Sequence, residues 1–163
     1  MPEMNLTQSS AQPVLGMDVN ATIEADDVWT IALVSDETAN DSDKTITVTA
    51  GQVWQILSIR VELVTTANGL ARQIEVQVRD TADDVIFNVT PGLTQAASLT
   101  YWYNFAPSLA DLSAIRDTNF VMTPFPPTMI LPAGYDLRIY DNNAVDAAAD
   151  DMEIQLLYAW KAA

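Results

Sequence analysis

The sequence predicts an all-β protein: an antiparallel two-sheet β-sandwich with an extended N-terminal arm. Three observations predict it. Apolar residues recur at period two over 57–63, 74–78 and 152–160, the spacing that sends alternate side chains to opposite faces of a strand. The breaks between such runs carry Gly, Pro, Asn and Asp at the intervals of a sandwich or barrel. Strands do not alternate with long helical patterns, so a parallel βαβ sheet is not expected.

The first 27 residues read as the arm and 28–163 as the sandwich domain. In the arm Gln, Ser, Thr, Asn and Pro13 dominate, and Leu6, Val14, Leu15 and Ile23 keep no period. Fully stretched, such a segment reaches roughly 80 Å, several times the thickness of a sandwich. It is either a tail or an arm that lies along a neighbouring subunit.

The first strand is VWTIALVS from Val28, closed by the Asp-, Asn- and Ser-rich loop Asp36 to Asp43, whose side chains favour local turn bonds over ladders. KTITVTA follows and Ala50-Gly51 breaks it. From Val53 to Thr65, Leu57, Ile59, Val61 and Leu63 share the core face, and Ser58, Arg60 and Glu62 the other. Asn68-Gly69 signals a hairpin, because type I′ turns need positive φ at both central residues. The return strand points Ile74, Val76 and Val78 inward and Gln73, Glu75, Gln77 and Arg79 outward.

A turn at Asp80 to Asp84 leads into VIFNVT, which ends at Pro91-Gly92. ASLTYWYNF puts Leu99, Tyr101, Tyr103 and Phe105 on one face and Trp102 on the other. Ala106 to Asn119 has spacing for a short helical turn. Pro124, Pro126 and Pro127 keep TPFPPT out of a central ladder, at an edge or in a crossing loop. MILPAGYDLRIYD resumes the sheet, and the last strand aligns Met152, Ile154, Leu156, Tyr158 and Trp160. The total is about eight to nine strands.

Composition narrows function. Neither His nor Cys occurs, which removes Ser-His and Cys-His nucleophile pairs, imidazole and thiolate metal sites, and disulfides. Seven basic residues against 22 acidic ones give a formal charge of -15, a surface that repels phosphate backbones, so nucleic acid is not an expected partner. No apolar run approaches the roughly 18 residues of a membrane span, and the N-terminus lacks the basic and apolar regions of a signal peptide. Synthesis and folding in a reducing cytoplasm, no membrane and no cofactor are the expectations.

Several constellations were weighed. In the loop Asp141 to Asp151, Asp141, Asn143, Asp146, Asp150 and Asp151 offer oxygens to calcium but lack the EF-hand pattern and its closing Glu. A solvated connection is the better reading. Asp83 and Asp84 with Glu75 or Glu62 resemble an acid/base pair only if a cleft brings them to a set separation. Trp54, Trp102, Tyr101 and Tyr103 would form a sugar platform if exposed together, though strand aromatics more often anchor cores or interfaces. Arg72, Arg79, Arg116 and Arg138 are expected to pair with acids at the surface. Phe120, Val121, Met122, Phe125, Met129 and Ile130 are concentrated where prolines disrupt a ladder. No catalytic, cofactor or metal residue emerges; the interface candidates are Leu6, Val14, Leu15, Phe120, Met122, Phe125, Met129 and Ile130.

The segments TITVTAGQVWQILSIRVELVTTANGLARQIEVQVRD, YWYNFAP, AIRD, LPAGYDLRIYD and DDMEIQLLYAW, in that order, carry a resemblance. The chain from Lys44 to Trp160 resembles small jelly-roll-like structural proteins of tailed bacteriophages, in which strands of the forms G-x-x-W-x-I-x-S-I, R-x-x-x-V-x-V-x-D and L-P-x-G-Y-x-L-R-I-x-D recur. The resemblance implies a non-enzymatic virion component, foremost a capsid decoration or cement protein made in the bacterial host cytoplasm and seated on the outer head surface. Its implied partners are the major capsid protein and copies of itself, as a homo-oligomer. A tail or head-to-tail connector component, or a carbohydrate-binding module at a fibre tip, is the alternative.

Overall fold

The computed structural model describes residues 28–40, 43–109, 118–143 and 149–163. The arm, with Leu6, Val14 and Leu15, lies outside them, as do Arg116 and most of the helical turn expected after Ala106. The described residues form ten strands and no helix: β1 (Thr30–Asn40), β2 (Lys44–Thr47), β3 (Gln52–Val64), β4 (Ile74–Arg79), β5 (Val85–Val89), β6 (Thr100–Pro107), β7 (Phe120–Phe125), β8 (Ile130–Leu131), β9 (Asp136–Asp141) and β10 (Asp151–Ala162).

Four antiparallel pairs nest one inside the next along the chain: β1 with β10, β2 with β9, β3 with β6, and β4 with β5. The chain is thus one long hairpin whose tip is the turn after β4. There Asp80 Oδ1 accepts the N–H groups of Ala82 at 2.8 Å and Asp84 at 3.1 Å, and Asp83 takes φ 66°. This hairpin is rolled so that β10 also pairs with β3 and β9 with β4. The resulting sheets run β1-β10-β3-β6-β7, with β8 on β3, and β2-β9-β4-β5. With β7 and β8 set aside, this is the strand order of a jelly roll.

The inward faces meet in a single core. Trp54, Ile56, Ile59, Val61, Leu63, Tyr103, Phe105, Met152, Ile154 and Leu156 of the larger sheet pack on Ile74, Val76, Val78, Leu137 and Ile139 of the smaller. Each fully buried Leu or Ile contributes roughly 1.5–3 kcal/mol, before the entropy cost of ordering the chain.

Three details differ from the sequence expectations, and the edge position expected for the proline segment is found. Asn68-Gly69 makes no hairpin: β3 and β4 lie in different sheets, and residues 65–73 carry the chain from one to the other. Leu57 does not continue the inward row, because Leu157 pairs with Ser58 and Tyr158 with Ile56. Leu57 is therefore the extra residue of a β-bulge, which switches the inward set to Ile56 and Trp54. One pairing, β6 with β7, runs parallel. Pro124 sits inside β7, where the open side of an edge strand needs no N–H donor.

Candidate functional site

The constellations considered for chemistry do not assemble. Trp54 is buried, stacked on Tyr158 with ring centroids 3.9 Å apart, and its Nε1 donates to Gln52 Oε1 at 2.7 Å. Tyr103 is buried, Tyr101 packs against the core, and Trp102 faces outward. The sugar platform is thereby divided between two faces. Glu62 and Glu75 stand on the outer faces of opposite sheets, and Asp83 and Asp84 lie exposed at the β4–β5 turn. A depression of about 40 Å³ on the larger sheet, lined by Arg60, Glu62, Glu153 and Gln155, is far below the roughly 300–1,000 Å³ of small-molecule sites. Among the described residues no three acidic side chains are grouped to hold a metal ion.

The principal buried polar cluster is a clasp that the sequence reading placed at the surface. Arg72 and Asp150 are both fully buried. Arg72 Nε donates to Asp150 Oδ2 at 2.7 Å and Nη2 to Oδ1 at 3.1 Å. The other donors reach the Asn68 carbonyl at 2.6 Å, the Leu70 carbonyl, and Thr66 Oγ1 at 3.2 Å. All five guanidinium N–H groups have acceptors, which a fixed planar fork allows and an ammonium does not. Burial acts to raise the Asp150 carboxyl's pKa, but hydrogen bonds from Arg72 and the Thr66 N–H hold it below its ordinary value. Gln95 continues the network: its backbone bridges that of Arg72, its Nε2 donates to the Leu63 and Leu99 carbonyls, and Tyr103 donates to its Oε1 at 3.0 Å. Burial pushes the Tyr103 hydroxyl far above its usual pKa. The clasp ties the crossing 65–73, the β5–β6 loop and the entry to β10. Nothing local in the sequence marks it, since Arg72 and Asp150 are 78 residues apart.

On the outer face of the smaller sheet, Glu75 Oε1 accepts from Gln77 Nε2 at 2.8 Å and Asn88 Nδ2 at 3.0 Å. Burial acts to raise its pKa, and hydrogen bonds from Asn88, Gln77, Tyr140 and Asn142 outweigh it, leaving the carboxyl below its ordinary value. Arg138 lies over the Tyr140 ring at 4.0 Å and pairs with Asp43. Every partner here is internal, so the face is self-satisfied.

Surface apolar groups collect instead on the outer face of the larger sheet. The interface candidates from the sequence divide. Phe125 is a correction: only 4% exposed, it packs edge-on to Phe87 and Phe105, because its inward register beside Pro107 carries it into the core. Met129 packs partly against the core. Phe120, 38% exposed, stacks on Trp102 at 5.0 Å, with Met122 next along the outer face. Ile130, 48% exposed, lies at the other end, in the outward row Ile31–Ala159–Gln55–Ile130 set by the registers of β1, β10, β3 and β8. The sequence reading missed the main members of that second patch, Ile31, Leu33 and Leu157. Their signal was alternation in TIALVS, apolar on both faces rather than one.

No family model matches this chain, and no curated protein does. Solved structures with a similar arrangement include one of the infectious bursal disease virus Gx strain, 13% identical with a TM-score of 0.39. A second is the infectious bursal disease virus VP2 subviral particle, 12% identical with a TM-score of 0.34. The matches cover 92% and 93% of this chain but 41% and 42% of those chains. This chain thus spans about two fifths of the length of the chains it matches.

Proposed function

We propose that the protein is a non-enzymatic virion structural component of a tailed phage, acting as a capsid decoration or cement protein on the outer head. The observation that carries this reading is the outer face of the larger sheet. It presents two apolar patches on a jelly-roll scaffold, while the acidic and aromatic groups considered for chemistry are buried, dispersed or internally paired. The sequence resemblance from Lys44 to Trp160 supports the same class. The charge of -15 suits the outside of a head better than its DNA-facing side. It also means that attachment draws on apolar and backbone contacts, with Phe120, Met122 and Ile130 on the described surface and Leu6, Val14 and Leu15 on the arm.

The test is negative-stain imaging and co-sedimentation of the purified protein with empty phage heads. The expected result is saturable decoration that persists in moderate salt, because screening weakens the mutual repulsion of the bound chains. Deleting Met1–Val19 is expected to leave a folded domain and to weaken particle binding at least about tenfold. Absence of binding to heads, or binding that collapses in moderate salt, refutes this account.

A further inference from the structure

The larger sheet ends at β1, whose far side pairs with no described strand, and an open edge of this kind is a template for another strand. The other edges are blunted: β2 and β5 are four and five residues long, and β7 carries Pro124. By contrast, β1 keeps a regular register with β10 from Thr30 to Asp36 before it shifts ahead of Asn40, and TIALVS from Thr30 to Ser35 contains no charge, proline or glycine. Its outward side chains Ile31 and Leu33 are 68% and 62% exposed, and Leu33 lies directly opposite the exposed Leu157 of β10.

We propose that β1 is the interface through which two copies of this chain pair, antiparallel about a two-fold axis at Leu33, joining their larger sheets into one. A two-fold contact requires a strip complementary to itself, and β1 is one. With Leu33 opposite its own counterpart, the outer face carries a continuous row: Leu157, Leu33, then Leu33 and Leu157 of the second copy. Ile31 falls opposite Ser35, within the stretch where β1 keeps a regular register with β10. The apolar stretch meets itself, and no charged side chain lies between Thr30 and Ser35 to oppose its counterpart. A chain of charge -15 needs such an arrangement to avoid like charges opposed across the ladder. A shift by one residue in the sum of paired positions would set outward side chains against inward ones, so the pleat favours registers of this parity.

The test uses the full chain in solution, without heads, so its outcome is separate from that of the decoration reading. Analytical ultracentrifugation across the micromolar range is expected to show a monomer–dimer equilibrium. Because the chain has no cysteine, Leu33→Cys introduces a lone thiol on the two-fold axis, which mild oxidation converts to a covalent dimer; Val85→Cys on β5 does not cross-link. Leu33→Lys is expected to weaken the dimer at least about tenfold with an unchanged far-UV spectrum, as a lysine on a strand edge should. A full chain that stays monomeric throughout overturns the proposal. So does cross-linking through Val85→Cys in preference to Leu33→Cys.

Discussion

Replacing Arg72 by leucine removes the centre of the clasp while keeping much of its volume. The change leaves the Asp150 carboxylate buried without its cation, and removes the hydrogen bonds from Arg72 to the Asn68 and Leu70 carbonyls. Removing one partner of a buried ion pair costs about 3–5 kcal/mol, because the remaining charge stays desolvated. Urea unfolding followed by tryptophan fluorescence measures it. At a slope of about 2 kcal/mol per molar, the loss moves the midpoint down by about 1.5–2.5 M. Asp150→Leu should cost a similar amount, since it strands the guanidinium and the Thr66 N–H. The double change Arg72→Leu with Asp150→Leu should cost less than the two single changes added, because no uncompensated charge remains. It should still be less stable than the natural chain, because the crossing 65–73 loses the hydrogen bonds that anchor it, at about 0.5–1.5 kcal/mol for each. A midpoint shift below about 0.5 M for Arg72→Leu, at an unchanged slope, would refute the clasp as a tie between the sheets, as would strict additivity of the two changes.

Other outcomes follow from the same geometry. Phe125→Ala should lose about 3–5 kcal/mol as a core truncation, whereas Phe120→Ala should lose roughly 1 kcal/mol or less in the same urea assay. Glu75 and Asp150 both titrate lower in the folded chain than unfolded, so their contribution is complete above their ordinary values of 4.5 and 3.8 and is lost as pH falls through the folded ones. Thermal melts should therefore drop below about pH 4.5, with Glu75→Gln flattening the first part of the fall. Gly134 holds φ at +83°, and a Cβ there would lie 3.0 Å from Thr81 Cγ2. Gly134→Ala should accordingly cost about 1–2 kcal/mol by midpoint shift.

The sequence by itself determined the class of fold and most inward positions. Ile59, Val61 and Leu63, then Ile74, Val76 and Val78, then Met152, Ile154 and Leu156 are all buried as their alternation requires, because the pleat links every second residue whatever the strand pairs with. It also determined that the proline segment sits at an edge, since a missing N–H is a local property. Pairing was a different matter. Asn68-Gly69 has the chemistry of a hairpin, yet the chain crosses between sheets there, held by an arginine whose acid lies 78 residues away. The bulge at Leu57 exists only in relation to β10, and the parallel partnership of β6 and β7 only after the sheet has formed. That the segment holding Phe120 and Phe125 is a strand also depends on β6; once it is, their odd separation sends one outward beside Trp102 and the other into the core beside Phe105. Period and turn chemistry act between neighbours in the chain, and so are written in it. Strand order, bulges and buried ion pairs depend on which distant segments the rolled hairpin brings together, and only the tertiary structure decided those.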